Sequence, residues 1–167
     1  MVDFPQDTSE HLRQLKLSEG GFDRLVQDPE LDALCTEAKE LFGVESVAIT
    51  LLTRDKQLFP ARAGTEIECT PRNMAFCKHT IMRDAVFVVK DAHLDPRFRD
   101  IPLTTGGPHI RFYAGAPLIY QEGIRLGAFC LMDSAPRDFS LGDEAELMDF
   151  AERAISIMLE SLDKTAR

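Results

Sequence analysis

The chain has 167 residues and a formal net charge of −9, from 28 acidic and 19 basic side chains, with no Lys/Arg run to concentrate positive charge. A phosphate backbone and an anionic membrane surface are therefore both repelled, so neither nucleic acid nor a membrane is expected as a partner. A hydrophobic share of 44% with 28% charged residues excludes a disordered or fibrous chain, and the length suits one core rather than two domains and a linker.

No apolar stretch is long enough to cross a bilayer, and the first residues lack the charged, apolar and small-residue regions of a signal peptide. A cytoplasmic protein is expected, with Cys35, Cys69, Cys77 and Cys130 as reduced thiols.

In chain order, residues 1–21 are polar and end in Gly20-Gly21, which reads as a mobile N-terminal arm or a short helix ahead of the fold. A single domain is expected over residues 22–162, with residues 163–167 as a tail. Asp28 followed by Pro29 supplies an N-cap and a first-turn proline. Leu31, Leu34, Cys35, Ala38, Leu41 and Phe42 follow at helical spacing before Gly43.

Residues 46–52 are β-branched and almost entirely apolar, which predicts a strand covered on both faces. Arg54-Asp55-Lys56 interrupts the run, and residues 58–63 resume it as the second arm of a hairpin. Residues 76–83 read as a short helix and residues 86–89 as a buried strand. Residues 91–107 have no strong periodicity, the character of a lid or binding loop. Within them, Asp95-Pro96-Arg97-Phe98 reads as an N-capped turn with Phe98 free to plug the loop onto the sheet, and Gly106-Gly107-Pro108 as a bend. Residues 111–120 and 124–132 are predicted to pair antiparallel across a short polar turn at Gly123.

Ser140 with Asp143 forms a variant capping box at the start of a long helix. At about 100° per residue, Leu141, Ala145, Met148, Ala151, Ile155, Leu159 and Leu162 fall on one face, and Leu147, Phe150, Ala154 and Ile157 widen the apolar arc beyond it. A helix on a single sheet needs a narrower stripe. The wider arc is expected to be covered from within the chain or by a second copy, and a homodimer interface is placed at Leu147, Phe150, Ala154 and Ile157.

Several short motifs stand in order. They are Thr70-Pro71-Arg72 leading to Phe76-Cys77, Asp91-Ala92, Asp95 to Phe98, Pro102-Leu103, Gly106, the run from Ile110 to Leu118, Leu126-Gly127, and Asp133 with Pro136-Arg137. Together they resemble the GAF domain, in the bacterial subtype found ahead of histidine kinases and diguanylate cyclases, over roughly residues 22–159. The resemblance implies an α+β fold: a GAF/PAS-like antiparallel sheet of five to six strands, helices packed on one face and a loop-covered pocket on the other.

Members of the family bind cyclic nucleotides, tetrapyrroles, haem or small metabolites, and many bind nothing known; the fold supplies a place for a ligand but not its identity. On this basis Phe76, Cys77, Asp91, Phe98, Leu103, His109, Arg111 and Tyr113 are the candidate ligand-binding residues. Arg111 either holds an anionic ligand or fastens the loop by pairing with Asp91, Asp95 or Asp133, and the second role is favoured. Cys69, Cys77, His79, His93 and His109 have no recognised zinc spacing, so no metal is assigned. Cys77 is followed by Lys78, not by the His common at bilin attachment sites, so no chromophore or other cofactor is predicted.

The resemblance implies a small-molecule-sensing or regulatory module of a signal-transduction system, with a kinase or cyclase as its output partner. No such sequence follows Leu162, so the module is expected to act in trans or to be a fragment of a larger sensor. An enzyme is the first alternative, since free methionine-(R)-sulfoxide reductases are GAF domains of similar length that use cysteine thiolates. Their reactive thiols lie in and beside the loop over the pocket, whereas residues 91–107 contain no cysteine and Cys130 reads as core. The second alternative is an interaction module whose pocket is filled by Phe76, Phe98, Leu103, Phe112 and Tyr113.

Overall fold

The computed structural model describes the backbone of residues 8–25, 28–67, 69–71 and 76–166. The Arg72 end of the Thr70-Pro71-Arg72 motif and the Cys69 side chain lie outside the described residues. Two helices lead, α1 (Thr8–Glu19) and α2 (Pro29–Phe42), followed by β1 (Ser46–Leu52), β2 (Lys56–Ala63) and β3 (Cys69–Pro71). The short helix α3 (Cys77–Thr80), β4 (Phe87–Val89) and α4 (Pro102–Thr105) precede the long hairpin of β5 (Phe112–Gln121) and β6 (Ile124–Asp133), and α5 (Leu141–Ala166) closes the chain.

Local chemistry accounts for most of these boundaries. The Asp28 carboxylate accepts from the Glu30 amide at 2.8 Å, Pro29 takes the first turn, and α2 stops where Gly43 adopts φ 66°. At α5 the predicted box is reciprocal: the Ser140 amide donates to the Asp143 carboxylate at 2.9 Å, and the Asp143 amide donates to the Ser140 hydroxyl at 3.1 Å.

The strands form one antiparallel sheet of six, in the order β3-β2-β1-β6-β5-β4. Alternation along β1 sends Val47, Ile49 and Leu51 to the face covered by α1, α2 and α5, and Ala48 and Leu52 to the opposite face. This is why an almost continuous apolar run is needed there. Phe112 of β5 belongs to the helix-covered face, edge-on to Phe139 at 5.6 Å, and so does not fill the pocket as expected. Tyr113, one residue on, points to the other side.

Two readings of the helices are corrected. The N-terminal arm is, from Thr8 onward, a helix docked on the sheet: Leu17 is buried, and the Arg13 guanidinium donates to the carbonyls of Leu52 at 2.7 Å and Leu126 at 3.2 Å. A basic side chain can be buried here because Glu10 pairs with its charge, at 2.8 and 3.0 Å, and carbonyls of β1 and β6 accept its remaining hydrogen bonds. On α5 the face assigned to a partner is the one that seats on this chain's own sheet. Leu147, Phe150 and Ala154 are buried, Ile157 packs beside them, and Phe150 stacks on Phe129 of β6 at 5.5 Å. Leu141 and Leu159, placed on the inward face by the periodicity, are exposed. The buried face draws on both apolar arcs: Ala151 and Ile155 of the first lie in the same core as Leu147, Phe150 and Ala154 of the second, and Phe42 and Phe129 meet it at Phe150.

Among the described residues no helix is long and apolar enough to cross a membrane.

Candidate functional site

The sheet face opposite the long helices is closed by α3, α4 and the segment between β4 and β5. Phe76 lies flat between two rings, stacked on Phe98 at 4.5 Å and on Tyr113 at 5.0 Å. Phe98 is carried there by the Asp95 turn: the Asp95 carboxylate accepts from the Arg97 amide at 2.9 Å, and the Asp95 carbonyl accepts from the amides of Phe98 and Arg99. Arg97 then lies over the rings of Phe87 and Phe98 at 5.1 and 5.3 Å.

His79 completes this aromatic layer, stacked on Phe87 at 5.4 Å and edge-on to Phe98 at 5.0 Å. Burial, with the positive charges of Lys78 and Arg97, brings its pKa down to about 4, so it is a neutral ring at physiological pH.

Beneath the rings lies a cavity whose walls include Thr50, Gln57, Phe59, Ile67, Leu103 and Ile110, together with Phe76, Cys77, Tyr113 and Cys130. Its free space, measured at the centre of a water molecule, is about 20 Å³, enough for a molecule the size of one or two waters. Phe59, Phe76 and Tyr113 supply the aromatic part of its wall, and the free space as it stands admits nothing larger.

The polar floor is a buried set of hydroxyls and thiols. Tyr113 Oη donates to Cys77 Sγ at 3.2 Å and lies 2.8 Å from Thr80 Oγ1, while Thr50 Oγ1 reaches Cys77 Sγ at 3.2 Å and the Ala128 carbonyl at 3.3 Å. Cys130 Sγ is 3.8 Å from Cys77 Sγ and 3.3 Å from the Ala48 carbonyl. Gly115 makes room for this arrangement, since a Cβ there would lie 2.2 Å from Tyr113 Oη and 2.7 Å from Thr80 Oγ1. Burial raises the Cys77 pKa, but donors from Cys130, Thr50 and Tyr113 outweigh it and set this thiol below the ordinary range. Cys130 is held well above that range, first by its hydrogen bond to Cys77 and then by burial.

Of the eight candidate binding residues, Phe76, Cys77, Leu103 and Tyr113 line the cavity, and Phe98 backs Phe76 as a second layer. Asp91, Arg111 and His109 do not line it. Arg111 donates twice to Asp91, at 3.1 and 2.7 Å, which fastens the lid as the favoured reading held. His109 is exposed, with φ 58°. Thr50, Gln57 and Cys130 were missed as wall residues. The signal for Cys130 was available in the alternation of β6, where Ala128, Cys130 and Met132 oppose Phe129 and Leu131.

A six-stranded antiparallel sheet with long helices behind it and a lidded pocket in front defines an α+β domain of the pocket-bearing kind. The GAF domain profile matches residues 28–157, and the chain belongs to the GAF domain family. It is 36% identical over 162 residues, 97% of its length, to the cyclic di-GMP phosphodiesterase PA2567 of Pseudomonas aeruginosa, of which it spans only 27%.

Among solved structures it is similar to the GAF domain of the Acinetobacter phosphoenolpyruvate-protein phosphotransferase, with TM-score 0.67 and 15% identity over 93% of this chain and 96% of that one. It is also similar to the free methionine-R-sulfoxide reductase of Neisseria meningitidis, with TM-score 0.65 and 18% identity over 99% and 98% of the two chains. At these identities the likeness is one of fold.

Proposed function

We propose that this chain is a regulatory GAF module of a cyclic di-GMP signalling protein, in which the state of the pocket sets the activity of an output domain. The observation that carries this reading is the match of almost the whole chain, at 36% identity, to a segment of a cyclic di-GMP phosphodiesterase. The fold offers a route for coupling. On β6, Ala128 and Cys130 face the pocket while Phe129 and Leu131 face the helices, so a displacement of this central strand reaches α5 through the stacked Phe129 and Phe150.

The test is a chimera in which this chain replaces the matching segment of the Pseudomonas phosphodiesterase, with cyclic di-GMP hydrolysis as the readout. Retained hydrolysis that changes several-fold on Phe98→Ala or Tyr113→Phe supports the module. A rate indifferent both to those substitutions and to removal of the whole segment rejects it.

A second reading is favoured by one observation, the small free volume beneath Phe76 and Phe98. It is an interaction module with a self-filled pocket and no ligand. Native mass spectrometry of the protein from its own host, with thermal-shift screening of metabolites and nucleotides, separates the two. A bound mass or a concentration-dependent rise in Tm supports ligand sensing.

A further inference from the structure

The geometry points to Cys77 and Cys130 as a redox site: a thiol pair that a small hydroperoxide converts into a disulfide, moving the lid over the pocket. Three observations carry it. The two sulfurs lie 3.8 Å apart with no atom needed between them. Both line the cavity, whose 20 Å³ of free space accommodates a molecule the size of hydrogen peroxide and little more. Tyr113 Oη and Thr50 Oγ1, each 3.2 Å from Cys77 Sγ, are placed to stabilise negative charge on that sulfur and leave Cys130 as the second thiol.

In the first step Cys77 sulfur bonds to one peroxide oxygen and the O–O bond breaks. The departing hydroxide takes the thiol proton and leaves as water, so the sulfur is oxidised to a sulfenic acid and the peroxide reduced. In the second step Cys130 sulfur attacks that of Cys77, and the sulfenic hydroxyl leaves as a second water with the Cys130 proton. Two thiols and one hydroperoxide thus give one disulfide and two waters when the oxidant is hydrogen peroxide.

Bond formation brings the sulfurs from 3.8 Å to about 2.05 Å. Cys130 sits on β6, hydrogen-bonded on both sides by β1 and β5, whereas Cys77 begins a helix of four residues. The movement therefore falls on α3 and on Phe76 next to it, which is stacked between Phe98 and Tyr113. Oxidation would disturb the ring stack that holds the lid down, and a dithiol would restore it.

The coupling to an output rests on the regulatory reading above, but the disulfide is measured on the isolated chain, so the two fail separately. The protein is treated with one equivalent of hydrogen peroxide and followed by intact mass, non-reducing peptide mapping and amide exchange. A loss of two hydrogens, a peptide joining Cys77 to Cys130, faster exchange over residues 92–110, and reversal by dithiothreitol are expected. Cys130→Ala should stop at a Cys77 sulfenic acid trapped by dimedone, and Cys77→Ala should show neither product; thermal unfolding of both variants confirms that they are folded. Cross-linking through Cys35 or Cys69, a disulfide between two copies, or a Cys77–Cys130 bond that forms only in urea overturns the site. A disulfide that leaves exchange over the lid unchanged overturns the switch.

Discussion

Arg111 grips Asp91 by two hydrogen bonds, Nε at 3.1 Å and Nη2 at 2.7 Å, and the Arg111 backbone ties the residue after Asp91 to the end of β6. The Arg111 carbonyl accepts from the Ala92 amide at 2.6 Å, and the Arg111 amide donates to the Asp133 carbonyl at 2.8 Å. Both ends of the lid are thus anchored close together, and the segment between them is held to the sheet by the buried Phe98.

This arrangement makes lid stability dependent on pH, in two stages. His79, lowered to about 4 by burial, takes its proton more readily in the unfolded chain, so its contribution is complete above about 6.5 and declines as pH falls toward 4. Asp91, held below its ordinary range first by the Arg111 hydrogen bonds, contributes above about 3.9 and loses that contribution as pH falls further. Amide protection over residues 92–110, corrected for the intrinsic slowing of exchange in acid, should fall below pH 6 before that of the sheet is affected. Asp95, held low by its hydrogen bonds from Arg97, shares the lower stage, so Asp91→Asn should shrink that stage and leave the His79 stage in place.

Tyr113→Phe removes the donor to Cys77 and leaves the buried Thr80 hydroxyl without its 2.8 Å contact. A loss of about 1–3 kcal/mol is expected in denaturant unfolding. The Cys77 thiol should also titrate higher, read from the ultraviolet absorbance of its thiolate, because the lost hydrogen bond favoured the charged form. A stability loss with no change in titration would place Tyr113 in a purely packing role.

Arg13 is 4% exposed and donates to three backbone carbonyls, those of Leu52, Leu126 and Arg125. Arg13→Met keeps the buried stem and removes every donor, and should cost about 2–3 kcal/mol. Deletion of residues 1–20 should lower Tm as well; an unchanged Tm would mean that α1 adds nothing to the fold.

Phe150→Ala removes a ring 4% exposed and stacked on Phe129, and should cost about 3–5 kcal/mol. Light scattering on the folded fraction should give the same mass as the parent chain, since the ring is covered by its own sheet. A fall in mass at undiminished stability would restore this face to a second subunit.

The parts legible in the sequence were those written in local chemistry. The caps at Asp28 and Ser140, the doubly covered strand from Ser46 to Leu52, the Asp95 turn and the lid between two strands all follow from short-range spacing and side-chain type. The ordered motifs carried the family, some at turns such as Asp95 to Phe98 and others within β5 and β6.

The rest depended on contacts between residues far apart in the chain. Periodicity alone presents two apolar arcs on α5, and packing against the sheet and α2 buries residues of both, with Phe150 set between Phe42 and Phe129. A polar N-terminal segment became part of the core because Leu52 and Leu126, remote in sequence, offer carbonyls to Arg13. Cys77 and Cys130, 53 residues apart, meet because β6 runs beneath α3 at the centre of the sheet. Short-range patterns set which elements form, and the side-chain partners that complete a buried site are set by the topology that brings those elements together.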